Sequence, residues 1–486
     1  ESWKKRVKYA MTKIKIIPDE ARNNFDNTIE WLKDKACTRK TGLGTPLPWD
    51  PAWNVETLSD STIYMAYYTI ARIINKEKIP PSKLTDDAFD YIFLNKGNPK
   101  SVAKTSKLPL RLLNEMKREF EYFYPMDFRN SAKELVQNHL TFYIFQHVAI
   151  WPEKYWPRII GVNGFVNIEG EKMSKSKGNI ISLKDLIQQY GADLTRINII
   201  SSAEGIDDAD WRAENIKSLR QRYEFLFSVI KDIKKSKGKK LGNADIYLNS
   251  RLAGILSETT ELYDQLRFRT VVQHALFDST NALRWYLQRV GGVKNANKGV
   301  LKNSLSIIAR MLAPMTPHLC EEMWSYLGKG FVSAGEWPPA DKKLINENAE
   351  MQEDFLRQII DDVEQIKKIS GITPKRAAIF IAQPWKFQIY NTILKNKGKS
   401  INEITKEIMQ TDMRKYGNAT IGFIQSLYKK INELRDVVPR ERQVQILNEA
   451  KLFIEKELHC SISIETESQH DKAKQSTPQK PGILLQ

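Results

Sequence analysis

Cysteine is scarce: Cys37, Cys320 and Cys460 are the only three in 486 residues, far apart and without a Cys-x-x-Cys pair. That leaves no basis for a disulfide framework or a structural zinc site, and a reducing, cytoplasmic setting is expected. Long apolar runs are also missing. No stretch approaches the roughly 18–20 apolar residues that span a bilayer, so no membrane partner is expected. The opening ESWKKRVKYAMTKIKIIPDEARNNF has Lys and Arg but neither the apolar stretch nor the cleavage site of a secretory signal, and it reads like the middle of something longer. Acidic residues are outnumbered, with 58 Asp plus Glu against 75 Lys plus Arg, a formal charge of +17. Such an excess favours a polyanionic partner through counterion release and steering, although a basic, merely soluble protein would show it too.

Apolar residues are plentiful: they make up 41% of the chain and include 11 Trp, 18 Tyr and 19 Phe, enough for a core in each of about three domains. The character of the chain changes accordingly. Over 1–205, aromatic and β-branched runs read as strands, STIYMAYYTI (61–70) and WPRIIGVNGFVNI (156–168), and alternate with helical patterns such as ELVQNHLTFYIFQHV (134–148). This is an α/β pattern. Over 206–340 the period becomes helical: Ile216, Leu219, Tyr223, Leu226, Phe227, Ile230 and Ile233 fall at steps of three and four, and stretches near 269–289 and 298–312 repeat the pattern. An antiparallel helix bundle is predicted there, with KKSKGKKLGN (234–243) as an exposed basic connection. Over 341–486 a small α+β region is predicted from helical patterns at 351–369 and 441–458 and strand-like AAIFIA (377–382) and SISIET (461–466). Its polar tail is expected to be mobile until the last few apolar residues.

One loop carries chemistry. In GEKMSKSKGNI (170–180), Gly170 and Gly178 bracket three lysines, after an apparent strand, GVNGFVNI, and before a helix, ISLKDLIQQYGADLTR. Mobile backbone with concentrated positive charge suits phosphate oxygens, whose negative charge grows during phosphoryl chemistry. A solvated lysine-rich loop would share the charge, but KMSKS specifies five residues, a match expected by chance in roughly one of several thousand chains this long. His139, polar between apolar neighbours in QNHLTF, is expected to form hydrogen bonds.

KMSKS is a signature of class I aminoacyl-tRNA synthetases, and the chain resembles leucyl-tRNA synthetase of the archaeal and eukaryotic cytosolic type. The resemblance rests on TIEWLKDKACTRKTGLGTPLPWD (28–50), LSDSTIYMAYYTIA (58–71), LVQNHLTFYIFQHVAIWPEKYWP (135–157), VNGFVNIEGEKMSKSKGNIISL (162–183), YGADLTR (190–196) and, in the helical region, LAPMTPHLCEEMW (312–324) and EWP (336–338). It implies the C-terminal part of a Rossmann-like catalytic domain, an anticodon-binding-type bundle and a C-terminal tRNA-binding domain. It further implies activation of leucine by ATP, with Mg2+ accompanying the ATP, then transfer to tRNA(Leu), with no metal bound by the protein itself. Lys172 and Lys175 would close over the leaving pyrophosphate, with Ser174 and Ser176 holding the loop and Met173 beside the nucleotide. Glu134 would face the ribose, His139 would lie near the adenylate, and Leu58, Ser61 and Tyr64 would join His139 around the leucine. For tRNA, the cations that fit are Lys234, Lys235, Lys237, Lys239 and Lys240 in the basic connection, then Lys429, Lys430, Arg435, Arg440 and Arg442. Ile483 and Leu484 end the tail as if meant to dock.

Two departures stand out. Relatives carry glycine where this chain has Ala132, in NSAKEL, just before the acid Glu134. The His-Ile-Gly-His signature and the editing insertion are absent, so a separate N-terminal half carrying both is expected as a partner if the gene is split, with activity only when that half is present. A fragment of a longer chain, a non-catalytic tRNA-binding relative, and a sister enzyme for isoleucine, valine or methionine remain alternatives. SDSTIYMAYYT favours the leucine type over the last of these.

Overall fold

Lys15–Ile17, Ile159–Asn163 and Phe128–Ala132 form, in that spatial order, a parallel sheet in the computed structural model, which describes residues 1–486 except 175, 177, 239 and 240. Parallel neighbours need long crossovers, and the chain supplies them as helices. Ile16, Ile160 and Val162 are buried between helices that contribute Val7, Met11, Phe25, Ile29, Leu140, Tyr143 and Ile144 to one core. The Phe128–Ala132 edge carries the polar residues Arg129, Asn130 and Ser131, and its C-terminal end meets Asn163 through an Asn130–Asn163 side-chain hydrogen bond of 2.8 Å. A second small sheet pairs Val166–Ile168 parallel to Ala209–Trp211 and antiparallel to Glu171–Lys172. A third, antiparallel one is built from Thr38–Arg39, Asp50–Val55 and Pro46–Leu47.

The run at 61–70 is not a strand. Tyr64–Lys76 is a helix, and Ala66, Ile70, Ile73 and Ile74 are its buried residues. They share a core with Leu112, Leu113, Met116 and Phe120 of the helix Leu110–Phe123. β-Branched and aromatic residues favour strands only weakly, and here one helical face had an apolar surface to cover.

The chain divides into two compact units: Glu1–Glu224, Glu258–Phe277 and Leu312–Cys320 make the first, and Phe225–Ser257, Asp278–Met311 and Glu321–Gln486 the second. The helical stretch contains Ala213–Asp232, Asn243–Asp264, Phe268–Val272, Ser279–Val290, Lys298–Leu312 and Pro317–Leu327. In the second unit, Arg376–Phe380 lies between Ser461–Glu465, parallel to it, and Gly482–Leu485, antiparallel to it. The tail therefore does not fray. Ile483 is buried opposite Ile379, Leu484 packs on Ala378, Phe380 and Ala473, and Asp471–Gln475 forms a short helix. The apolar end supplies what an exposed strand edge lacks, a partner for its unpaired backbone groups.

Candidate functional site

The KMSKS loop is anchored at its start and tied across its middle. Glu171–Lys172 pairs with Val166–Ile168, and Gly170, at φ +81°, donates its N–H to Asp210 Oδ1 at 2.8 Å. Gly170 and Gly178, at φ +69°, sit in the left-handed region that favours glycine. Asn179 bridges the loop: its Oδ1 accepts from Ser174 N at 2.8 Å and its Nδ2 donates to the Lys172 carbonyl at 3.1 Å. Ser174 and Ser176 share a hydroxyl hydrogen bond of 2.8 Å. Lys172 and Met173 are exposed, and Lys175 lies outside the described residues.

Positive charge also reaches this region from the strand end. Lys133, just after Ala132, pairs with Asp208 at 2.6 Å, and its ammonium lies 5.3 Å from the centre of the Phe165 ring, while that of Lys172 lies 4.8 Å from it. The Lys133 hydrogen bond, helped by the Phe165 N–H, holds the Asp208 carboxyl below its usual range. The Gly170 N–H and Arg212 do the same for Asp210. Lys133 and Asn179 were missed in the sequence. Their signal was present, a lysine beside the strand end and an Asx residue after Gly178, but one lysine among many is not distinguishable without its neighbours. Glu134 is exposed. Ala132 has φ −84° and ψ 157°, extended backbone that any residue adopts, so only close approach of a ligand would call for glycine there.

The four residues expected around leucine lie near one another in the first unit. Thr57–Asp60 forms a short helical turn whose N-cap, Glu56, accepts from Leu58 N at 3.0 Å and Ser59 N at 2.9 Å. Burial pushes the Glu56 carboxyl up, but these hydrogen bonds more than offset that and leave it below the usual range. Ser61 Oγ donates to the Leu58 carbonyl at 3.0 Å, and the Ser61 carbonyl lies 3.2 Å from His139 Nε2. Thr62, fully buried, ties the same segment to Gln146 of the helix Thr141–Ile150. Tyr64 is partly exposed and packs edge-on against Tyr68, ring centres 4.8 Å apart. His139 is 7% exposed, in the wide helical turn Val136–Leu140, and burial, reinforced by Arg129, lowers its pKa. It holds little charge near neutral pH and can serve an apolar pocket.

The candidate tRNA contacts differ in their surroundings. Lys234 and Lys237 are exposed, Lys235 pairs with Asp232 at 2.7 Å, and Lys239 and Lys240 lie outside the described residues. Lys429, Lys430 and Arg435 are exposed around the turn Ile431–Glu433. Arg440 instead donates to the carbonyls of Ala382 and Thr466 at 3.1 and 3.0 Å, and Arg442 reaches Gln352 and Glu449. Like Ile483 and Leu484, these two arginines have partners inside the second unit. Among the described residues, no group of three or more His, Cys, Asp or Glu is placed to hold a metal, and no helix is long and apolar enough to cross a membrane.

The family model for class I tRNA synthetases (I, L, M and V) matches residues 1–212, and that for the anticodon-binding domain of tRNA ligase matches 245–382. Leucine–tRNA ligase of Pyrococcus horikoshii is 42% identical over 500 residues, taking in 100% of this chain and 51% of that protein. The Methanocaldococcus jannaschii leucine–tRNA ligase is 39% identical over 495 residues, with the same shares covered. Among solved structures, Mycobacterium tuberculosis methionyl-tRNA synthetase in complex with methionyl-adenylate aligns with 68% of this chain and 62% of its own at 17% identity, with a TM-score of 0.49, too slight a likeness to bear on the assignment. The chain spans about half the length of the curated relatives it matches. With this identity along its whole length, and KMSKS in a strand-anchored loop, the chain belongs to the leucine–tRNA ligase family of class I synthetases.

Proposed function

We propose that the chain supplies the KMSKS loop, part of the leucine pocket and tRNA-binding surfaces to a leucine–tRNA ligase, and that it acts with a second half bearing His-Ile-Gly-His and the editing domain. Leucine is joined to ATP, pyrophosphate leaves, and the leucyl group passes to tRNA(Leu). Lys172 and Lys175 stabilise the charge that develops on the leaving pyrophosphate, Ser174, Ser176 and Asn179 hold the loop, and Glu134 and Met173 face the nucleotide, whose Mg2+ arrives with it. Leu58, Ser61, Tyr64 and His139 surround the leucine side chain. Residues 1–205 act as the catalytic part, 206–340 as the anticodon-binding-type bundle and 341–486 as the C-terminal tRNA-binding domain. The observation that carries this reading is the 42% identity to a leucine–tRNA ligase along the whole chain.

Leucine-dependent pyrophosphate exchange tests it. The purified chain alone is expected to show none, and adding a His-Ile-Gly-His half from an archaeal relative is expected to restore it. Exchange by the chain alone at the rate of a complete enzyme would refute the need for a second half. A restored enzyme that activates isoleucine, valine or methionine in preference to leucine would refute the substrate.

A further inference from the structure

Arg129 is a half-buried cation on the edge strand Phe128–Ala132. Among the described residues its guanidinium meets no carboxylate. Its Nη2 lies 3.3 Å from His139 Nδ1 and 3.4 Å from His139 Nε2, its central carbon lies 5.0 Å from the centre of the Tyr143 ring, and its Nε is buried without a hydrogen-bond partner. A guanidinium can only donate hydrogen bonds, and a backbone carbonyl can only accept them. His139 stands between one of each, Arg129 on one side and the Ser61 carbonyl, 3.2 Å from Nε2, on the other. Because Nη2 lies almost equally far from both ring nitrogens, the guanidinium sits over the face of the ring, out of line with the in-plane lone pairs, and the in-plane partner is the Ser61 carbonyl, to which Nε2–H donates. A doubly protonated ring would set its positive charge directly against the guanidinium above it.

We infer that Arg129 is a positioning residue whose cation over the ring keeps His139 neutral, so that Nε2–H donates to the Ser61 carbonyl and places the Leu58–Tyr64 segment. The inference rests on the proposed function only in calling that segment the wall of a leucine pocket. Three separate elements are linked: the Arg129 strand, the turn carrying His139, and the connection after Thr57–Asp60. Ser61 in turn holds the Leu58 carbonyl at 3.0 Å, so the chain of hydrogen bonds continues to a second pocket residue. The titratable groups facing Arg129 from the surrounding elements are Tyr143 and His147 of the helix Thr141–Ile150 and Tyr124 after Leu110–Phe123, and all three are buried. Burial and the Arg129 charge act on His139 in the same direction, against the charged ring. A neutral ring can border an apolar side chain without leaving a desolvated charge beside it.

The test uses the full chain with 15N-labelled histidine, the His139 signals being identified by their loss in His139→Gln. In the unsubstituted chain, His139 is expected to show the Nε2–H pattern and a titration midpoint below that of a free imidazole. Arg129→Met removes charge and donor, and the titration midpoint is expected to rise towards that of a free imidazole. Arg129→Gln keeps a donor without the charge, so the midpoint should rise while the tautomer is retained. Arg129→Lys keeps both and should restore the original pattern. If His139 keeps its tautomer and midpoint in both the Met and Gln variants, the inference is overturned; should the Met variant not fold, the Gln and Lys variants decide. The readout needs neither leucine, ATP nor a second half. A restored enzyme that fails to use leucine would therefore count against the proposed function and leave this result standing.

Discussion

Asp193 and His318, 125 residues apart, share a hydrogen bond of 2.9 Å between Oδ1 and Nδ1. The other carboxylate oxygen of Asp193 accepts the Leu319 N–H at 2.6 Å, so a side chain from the helix Ala192–Ile200 caps the start of the helix Pro317–Leu327. Arg196, from the same helix, donates to the carbonyls of Met315 and Pro314 at 2.9 and 3.1 Å. Two sequence motifs, YGADLTR and LAPMTPHLCEEMW, thus meet at one joint in the first unit. Asp193 is 4% exposed. Asp193→Ala is expected to leave the Leu319 amide unpaired and to cost about 2 kcal/mol, measured by urea denaturation. Stability equal to that of the original chain would mean that the joint contributes nothing.

His147 predicts a pH dependence. It is fully buried, with Nδ1 2.9 Å from the Tyr143 carbonyl and Nε2 3.3 Å from the Tyr124 hydroxyl, and burial, the first cause, brings its pKa down to about 3. The unfolded chain binds this proton near pH 6.5 and the folded chain does not, so folding is opposed by acid throughout the interval between the two values. Stability should be level in this respect above about pH 6.5 and fall by up to about 1.4 kcal/mol per pH unit below it. Melting temperatures measured across the interval should fall less steeply for His147→Gln than for the original chain, and parallel curves would rule His147 out as the cause.

In the restored enzyme, Lys175→Ala should slow leucine activation about 100-fold or more, because a charged donor aimed at developing phosphate charge is worth about 3 kcal/mol. Leucine affinity should change far less. Equal loss in both, read from pyrophosphate exchange and leucine titration, would assign the lysine a structural role.

Ala132→Gly asks a narrower question at the same site. Since the backbone there is unstrained, the change should cost at most about 1 kcal/mol in stability while lowering the KM for ATP. An unchanged KM would mean that the nucleotide does not approach this methyl group.

The end of the chain supports the fold of the second unit. Gln486 O accepts from Lys375 N and Arg376 N at 2.7 and 3.0 Å, and Ile483 is buried. Removing 483–486 should lower the melting temperature, and any loss of preference for tRNA(Leu) in that variant would follow from the damaged sheet. Because residues 321–486 share a compact unit with 225–257 and 278–311, charge reversal is a cleaner test than domain deletion. Lys429→Glu, Lys430→Glu and Arg435→Glu together should weaken tRNA binding and reduce its salt dependence while the melting temperature holds. Unchanged affinity would clear this face of a role.

What the sequence by itself determined was local. The single helix expected after KMSKS was legible in outline, since Gly191, at φ +83°, divides it into Leu183–Tyr190 and Ala192–Ile200, and the strand before KMSKS was legible because periodicity and turn residues act over a few positions. So were the strands Arg376–Phe380 and Ser461–Glu465 and the helix Glu347–Ser370. The helix 441–458 was legible only in outline, since Ala450 divides it into Arg440–Glu449 and Lys451–Leu458. Residues 61–70 were misread, because β-branched and aromatic residues suit either structure until a neighbouring helix offers a face to cover. Tertiary structure alone decided that Arg129 meets His139, that His139 meets Ser61, that Asp193 caps a helix 125 residues away, and that the last strand closes a sheet. Each of these depends on a donor and an acceptor brought within about 3 Å by packing, and hydrogen-bond energy falls away so steeply with distance and angle that no spacing along the chain can announce it.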